Sequence, residues 1–197
     1  LNYTPEKEDG TIEISKAEKI AEQFEVSKQF WSYLIEKKHI DEPKEFITSC
    51  PHMSLVFGEK DANYLKKRHE ALTKSPLFKD MEFTTNHHKL NEWIPLIMSK
   101  RKETEILAAT KMDLGTDVNF GTLTRKMGRF LAEDANVEVF LYHEAKDIEF
   151  TLDEKWSIEV KDRINNHKQE VKTGFLFIGA GGYSLPLLDS SDIPESE

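Results

Sequence analysis

Of the residues in this sequence that can move a proton or grip an anion, a handful stand in surroundings that sort them. His52 stands in Pro51-His52-Met53-Ser54-Leu55-Val56-Phe57-Gly58, which a proline opens and a glycine closes in the manner of a short strand. An imidazole on such a strand can exchange a proton near neutral pH, or serve as a hydrogen-bonded structural histidine. Arg101 and Arg125 carry guanidinium groups able to bind a carboxylate, although arginines on or beside helices also lie solvated over apolar surface. His87 and His88 are adjacent, and adjacent helical positions diverge by about 100°, so joint ligation is not expected and no metal is assigned. Gly179-Ala180-Gly181-Gly182 follows an apolar run, an arrangement in which backbone can approach a nucleotide closely. The three-glycine fingerprint is absent, because Ser184 stands at its third position and Pro186 interrupts the helix that should follow. A bare tight turn is the competing reading.

The elements that must position these residues show in the hydrophobic period. Ser15-Lys16-Ala17-Glu18 reads as a capping box opening a long helix. Ile20, Phe24, Trp31, Leu34 and Ile35 recur on one face of it as core, with the Phe30 and Trp31 pair packed inside rather than forming a stacking platform. Pro43 ends that region. Helices are expected over 61–74 and 88–93, the second closed by Pro95, then a strand over 107–111 and a turn over 113–117. From Asn119 the pattern is helical again through Leu123, Met127, Phe130 and Leu131, and both Asp117 and Asn119 are good N-caps for it. Segments 137–142, 148–152 and 156–160 predict a three-stranded meander, Asn165-Asn166 a turn, and 171–178 a buried apolar strand running into the glycines.

With 197 residues and 38% hydrophobic content the chain can bury one sizeable core or parts of two domains. A net charge of -9, with no basic stripe, argues against nucleic-acid binding. The single Cys50 excludes an internal disulfide and favours a reducing, cytoplasmic setting. No apolar stretch approaches the length of a spanning helix, so any membrane contact is expected to be peripheral. The chain opens on Leu1 rather than Met and stops at Glu197 shortly after its glycine-rich element, so both ends read as cut.

One stretch is more specific. Gly115-Thr116-Asp117-Val118-Asn119-Phe120-Gly121-Thr122-Leu123-Thr124-Arg125 closely resembles a signature of bacterial malate:quinone oxidoreductases. Asn2-Tyr3-Thr4-Pro5, Gln29-Phe30-Trp31, Pro51-His52-Met53-Ser54, Trp93-Ile94-Pro95-Leu96-Ile97-Met98 and Phe177-Ile178-Gly179-Ala180-Gly181-Gly182 agree with that family in the same order. Ser99-Lys100 and Tyr183 depart from its pattern.

The resemblance implies a mixed α and β fold, part of a glutathione-reductase-like FAD-binding domain with part of a substrate domain. Residues 1–108 would contribute mainly to the substrate domain and 109–197 to the later part of the FAD domain. It also implies oxidation of malate to oxaloacetate in the tricarboxylic acid cycle, with FAD as cofactor and a membrane quinone as acceptor, at the inner face of the cell membrane. His52, Arg101 and Arg125 would then be the catalytic candidates. Gly179, Ala180, Gly181 and Gly182 would approach the cofactor, supported by Thr116, Asp117 and Asn119. A segment of this kind would be inactive alone. A flavin-dependent dehydrogenase of another 2-hydroxy acid, or a non-catalytic flavoprotein-like scaffold, are the alternatives.

Overall fold

The computed structural model describes residues 3–191 and 193, and its contacts divide the chain into two units, Leu1–Asp134 and Ala135–Glu197. The fold is mixed α and β, with small antiparallel sheets throughout. The boundary expected between residues 108 and 109 lies inside a strand of the first unit.

The first unit opens with helix α1, Ser15–Glu36. Ser15 is its first helical residue and not its cap: Ile14 holds the cap position, and the Glu13 carboxylate accepts the Ser15 N–H at 2.9 Å. The expected capping box is therefore corrected, since a carboxylate two residues upstream does the same work. The helix stops at Glu36, before Pro43, because Lys38 turns into the left-handed region at φ +60°. Pro43 instead starts a short 3-10 turn, Pro43–Glu45. Trp31 and Leu34 are buried with Ile40, Phe46 and Leu123, while Phe24, Ile35 and Met127 pack on that cluster. Two members of the expected core do not belong to it, for Ile20 is 41% and Phe30 49% exposed.

Strands β1 (Ile47–Ser49) and β2 (His52–Phe57), helix α2 (Glu59–Leu72) and strand β3 (Glu82–Thr84) follow. Next come helices α3 (His87–Trp93) and α4 (Pro95–Met98), strands β4 (Leu107–Met112) and β5 (Thr116–Val118), and helix α5 (Phe120–Ala132). β4 lies between β2 and β3, antiparallel to both. Its small residues explain that place: Ala108 packs with Val56, Ala62 and Leu65, whereas Leu107 and Ala109 pack with Leu90 and Met98. Alternate residues thus serve opposite faces of one strand, so helices cover both sides. β1 and β5 form a separate two-stranded ribbon, so residues 116 and 117 of the turn expected over 113–117 are strand.

The second unit is a meander of β6 (His143–Phe150), β7 (Trp156–Asp162) and β8 (Lys168–Thr173), followed by a 3-10 turn at Gly181–Tyr183 and helix α6 (Ser184–Ser190). The meander is present but shifted: residues 137–142 form no strand, and its first strand starts at His143. Asn166, at φ +58°, makes the expected turn between β7 and β8. The buried strand expected over 171–178 is also corrected. β8 ends at Thr173, and Phe175 and Phe177 are 77% and 80% exposed. Leu176 and Ile178 pack against Ile148, Ile158 and Leu187, so the run is extended with one face on the core and the other in solvent. Pro186 does not interrupt α6, because it sits in the first turn, where a backbone N–H has no helical partner to lose.

Candidate active site

A cavity of the first unit gathers residues from five places in the chain, and one glycine makes that possible. At Gly115 a Cβ would stand 2.2 Å from the Cys50 carbonyl oxygen and 2.6 Å from the His52 nitrogen. The loop between β4 and β5 therefore crosses the start of β2 in direct backbone contact, tied by a 2.9 Å hydrogen bond from the Cys50 N–H to the Gly115 carbonyl. On one side of this crossing His52 pairs with Met112, and on the other Ser49 pairs with Thr116. His52 and Thr116 are thereby brought to the wall of a common cavity of about 520 Å³.

Its remaining wall is largely apolar: Ala21 and Phe24 from α1, Leu77, Phe78 and Met81 from the segment after α2, and Met53, Met112 and Leu114. Into this surface α2 places Arg68, which is 9% exposed. Its Nε donates to Thr4 Oγ1 at 3.0 Å, and Tyr64 donates its hydroxyl to the Thr4 carbonyl at 2.7 Å, so the amino-terminal segment anchors one edge of the guanidinium. The other edge is not held. Among the described residues Arg68 Nη1 and Thr116 Oγ1 are the buried side-chain polar atoms without a hydrogen-bond partner, and both residues line this cavity. Burial lowers the Arg68 pKa, opposed by Tyr64, yet a guanidinium keeps its charge in proteins. A buried polar group with no partner carries a desolvation cost, which a ligand bearing acceptors would relieve.

His52 is exposed to solvent at its place on the wall, and its imidazole is held below the ordinary histidine value, first by partial burial and then by the Arg68 charge. A neutral imidazole able to accept a proton is thus favoured around pH 7.

The other candidates fall elsewhere. Arg101 pairs with Glu105 at 2.9 Å and lies over the Phe57 ring, 4.8 Å from its centre. Arg125 donates to Thr122 Oγ1 on its own helix. Neither lines the cavity. Asp117, in β5, does line it and is exposed, whereas the Asn119 side chain caps α5 by accepting the Thr122 N–H at 3.0 Å. His87 bonds the Glu105 carbonyl through Nε2, and His88 pairs with Glu92. In the second unit, residues 179–182 are exposed, Gly181 has φ +56°, and a Cβ at Gly181 or Gly182 would meet nothing within 4 Å. That backbone is therefore open to close approach by a ligand group.

Arg68 was missed among the candidates although a signal for it exists. Ala62, Leu65, Arg68 and Leu72 recur at spacings of three and four and are all buried, so the arginine occupies an apolar-face position of α2. A charged residue in such a register is either paired inside or kept for a ligand.

Among the described residues no helix is long and apolar enough to cross a membrane. The family model described as Malate:quinone oxidoreductase matches residues 1–197. A probable malate:quinone oxidoreductase of Flavobacterium johnsoniae is 50% identical over 195 residues, covering 99% of this chain and 39% of the relative. The corresponding protein of Halalkalibacterium halodurans is 53% identical over 197 residues, with 100% and 39% covered. That of Geobacillus sp. is 54% identical over 198 residues, with 100% and 38% covered. The chain spans about 39% of the length of such relatives. A match of this depth along every element described above leaves one assignment, and the chain belongs to the malate:quinone oxidoreductase family.

Proposed function

We propose that this chain is the segment of a FAD-dependent malate:quinone oxidoreductase that supplies the proton acceptor for malate oxidation. The observation that carries this reading is His52, biased toward its neutral form on the wall of a cavity that also holds a cationic Arg68. Oxidising a secondary alcohol to a ketone removes the hydroxyl proton and a hydride from the adjacent carbon. His52 takes the proton, and its depressed pKa keeps the imidazole receptive at physiological pH. A bound FAD would supply the acceptor for the hydride from the substrate carbon, and its two electrons would pass on to a membrane quinone. In the second unit Gly179, Ala180, Gly181 and Gly182 provide open backbone that the cofactor would approach, and in the first unit Thr116 and Asp117 line the cavity and would support it. The cap made by Asn119 orients α5 rather than the cofactor in this reading, and Arg101 and Arg125, already engaged elsewhere, stay outside the proton-transfer step. In this reading the parent protein rests peripherally on the inner face of the cell membrane.

The test is malate-dependent reduction of a quinone analogue by the full-length flavin-loaded polypeptide, followed across pH. The expected profile of kcat/KM rises through a midpoint below about 6.5, the ordinary histidine value, and H52Q lowers kcat by on the order of 100-fold or more. A flavin-loaded polypeptide inert to malate but active on lactate or 2-hydroxyglutarate would move the assignment to another hydroxy acid. Absence of flavin would point to a scaffold.

A further inference from the structure

We propose that Arg68 Nη1 and Thr116 Oγ1 form the anchor for a carboxylate of the substrate, an inference that rests on the hydroxy-acid reading of the same cavity. The two atoms are buried and without a hydrogen-bond partner among the described residues, and they belong to residues that line one cavity. A carboxylate satisfies both, accepting one N–H from the guanidinium edge that Thr4 does not hold and one O–H from the threonine. The apolar wall of Phe24, Phe78 and Met81 lowers the polarity around the pair, which strengthens a charged hydrogen bond relative to solvent.

The cavity carries two carboxylates of its own, and neither takes the anchor. Glu25 is exposed and paired with Lys28. Asp117 is exposed, and no ion pair joins it or Glu25 to Arg68 among the described residues. Burial lowers the Arg68 pKa and Tyr64 opposes it, and a phenol is neutral near pH 7, so it is no counter-ion there. The guanidinium is therefore a buried cation without an ion-pair partner among the described residues. Malate suits the site because one carboxylate can occupy it while the hydroxyl reaches toward His52, and a cavity of about 520 Å³ leaves room for both.

The experiment uses the full-length flavin-loaded polypeptide, with succinate as a dicarboxylate that carries no hydroxyl group. Calorimetric titration should show succinate binding that R68M weakens by on the order of 100-fold, R68K by less, and T116V by about 10-fold. In turnover, R68M should raise KM for malate by a similar factor while kcat changes far less, and R68K should restore part of it. An arginine that merely supports the fold would lower thermal stability without this split, and R68K would then bind succinate as the wild type does. Should R68M fail to fold, R68K and T116V decide the matter, and unchanged succinate affinity in both overturns the anchor. Malate turnover with an unchanged KM in R68M rejects the anchor and keeps the malate reading. Arg68-dependent succinate binding in a polypeptide that does not oxidise malate rejects the malate reading and keeps the anchor.

Discussion

At the scale of single residues the candidate site depends on a missing side chain. Gly115 has no Cβ, and a methyl group there would press on the Cys50 oxygen and the His52 nitrogen at distances no real contact tolerates. Both neighbours are backbone, so neither can rotate away. Gly115→Ala must push the β4–β5 loop off the start of β2, moving Thr116 and His52 apart. The expected cost is about 1–3 kcal/mol in a denaturant titration, the range for inserting a methylene into a packed place. Turnover should fall further than stability alone explains, because the two residues would no longer face one cavity. Gly115→Ala with unchanged midpoint and turnover would show that the crossing is not what holds the site. His52 was recognisable in sequence from its Pro-His-Met-Ser setting. The need for Gly115 was not, since a glycine in a turn-rich stretch reads first as a turn residue, and only the backbone of residue 50 shows that close approach is the reason. Arg68 sits on an apolar register of α2, and that register is the signal in the sequence that marks it.

At the scale of elements, α1 and α5 are joined to the β1–β5 ribbon through Trp31. Its ring meets Phe24, Phe46 and Phe120 edge to face, with centroids 6.0, 6.2 and 6.3 Å away. Three such contacts on an 8% exposed indole make it the hub of the cluster, and Trp31→Ala should destabilise the first unit by about 3–5 kcal/mol in urea. Trp31→Phe, which keeps an aromatic edge, should lose markedly less. Equal losses would mean that a smaller aromatic ring recovers nothing and that the whole indole is required there. Helix α1 was legible from its period, yet its limits were not. Ile20 shares the apolar spacing but points to solvent, and the cap came from Glu13 upstream rather than from Ser15. Periodicity identifies a face, whereas which end of the face is covered depends on partners far along the chain. The meander was legible for the same reason and displaced for another. Residues 137–142 have strand-forming types without a ladder partner, and pairing rather than propensity set β6 at His143.

At the scale of the whole chain, each unit has its own core. Trp31, Leu65 and Leu90 belong to three clusters of the first, and Ile148, Ile158 and Leu187 make the fourth, in the second. This division was not visible in composition, because residues 134–142 contain neither glycine nor proline and end in Val139-Phe140-Leu141-Tyr142, which reads as strand. In the fold those residues carry no ladder, and Phe140, Leu141 and Tyr142 are 59%, 71% and 70% exposed. Exposed aromatic residues in irregular backbone are what chymotrypsin cuts first, since cleavage needs an extended segment that leaves its hydrogen bonds cheaply. Limited digestion of this 197-residue chain should therefore cleave early at Phe140, Leu141 or Tyr142 and leave a fragment of the first unit that resists further digestion. Ile158→Ala, which opens a hole in the second core alone, should hasten loss of the carboxy-terminal fragment and leave the lifetime of the amino-terminal one unchanged. First cuts inside α1 or α2, or equal acceleration of both fragments by Ile158→Ala, would mean that the units do not keep separate stabilities. The glycine run bears on this result too. Phe175 and Phe177 are exposed in extended chain just ahead of Gly179, so a second, slower cut there is expected, and bound FAD in the full-length polypeptide should suppress it if that backbone is where the cofactor lies.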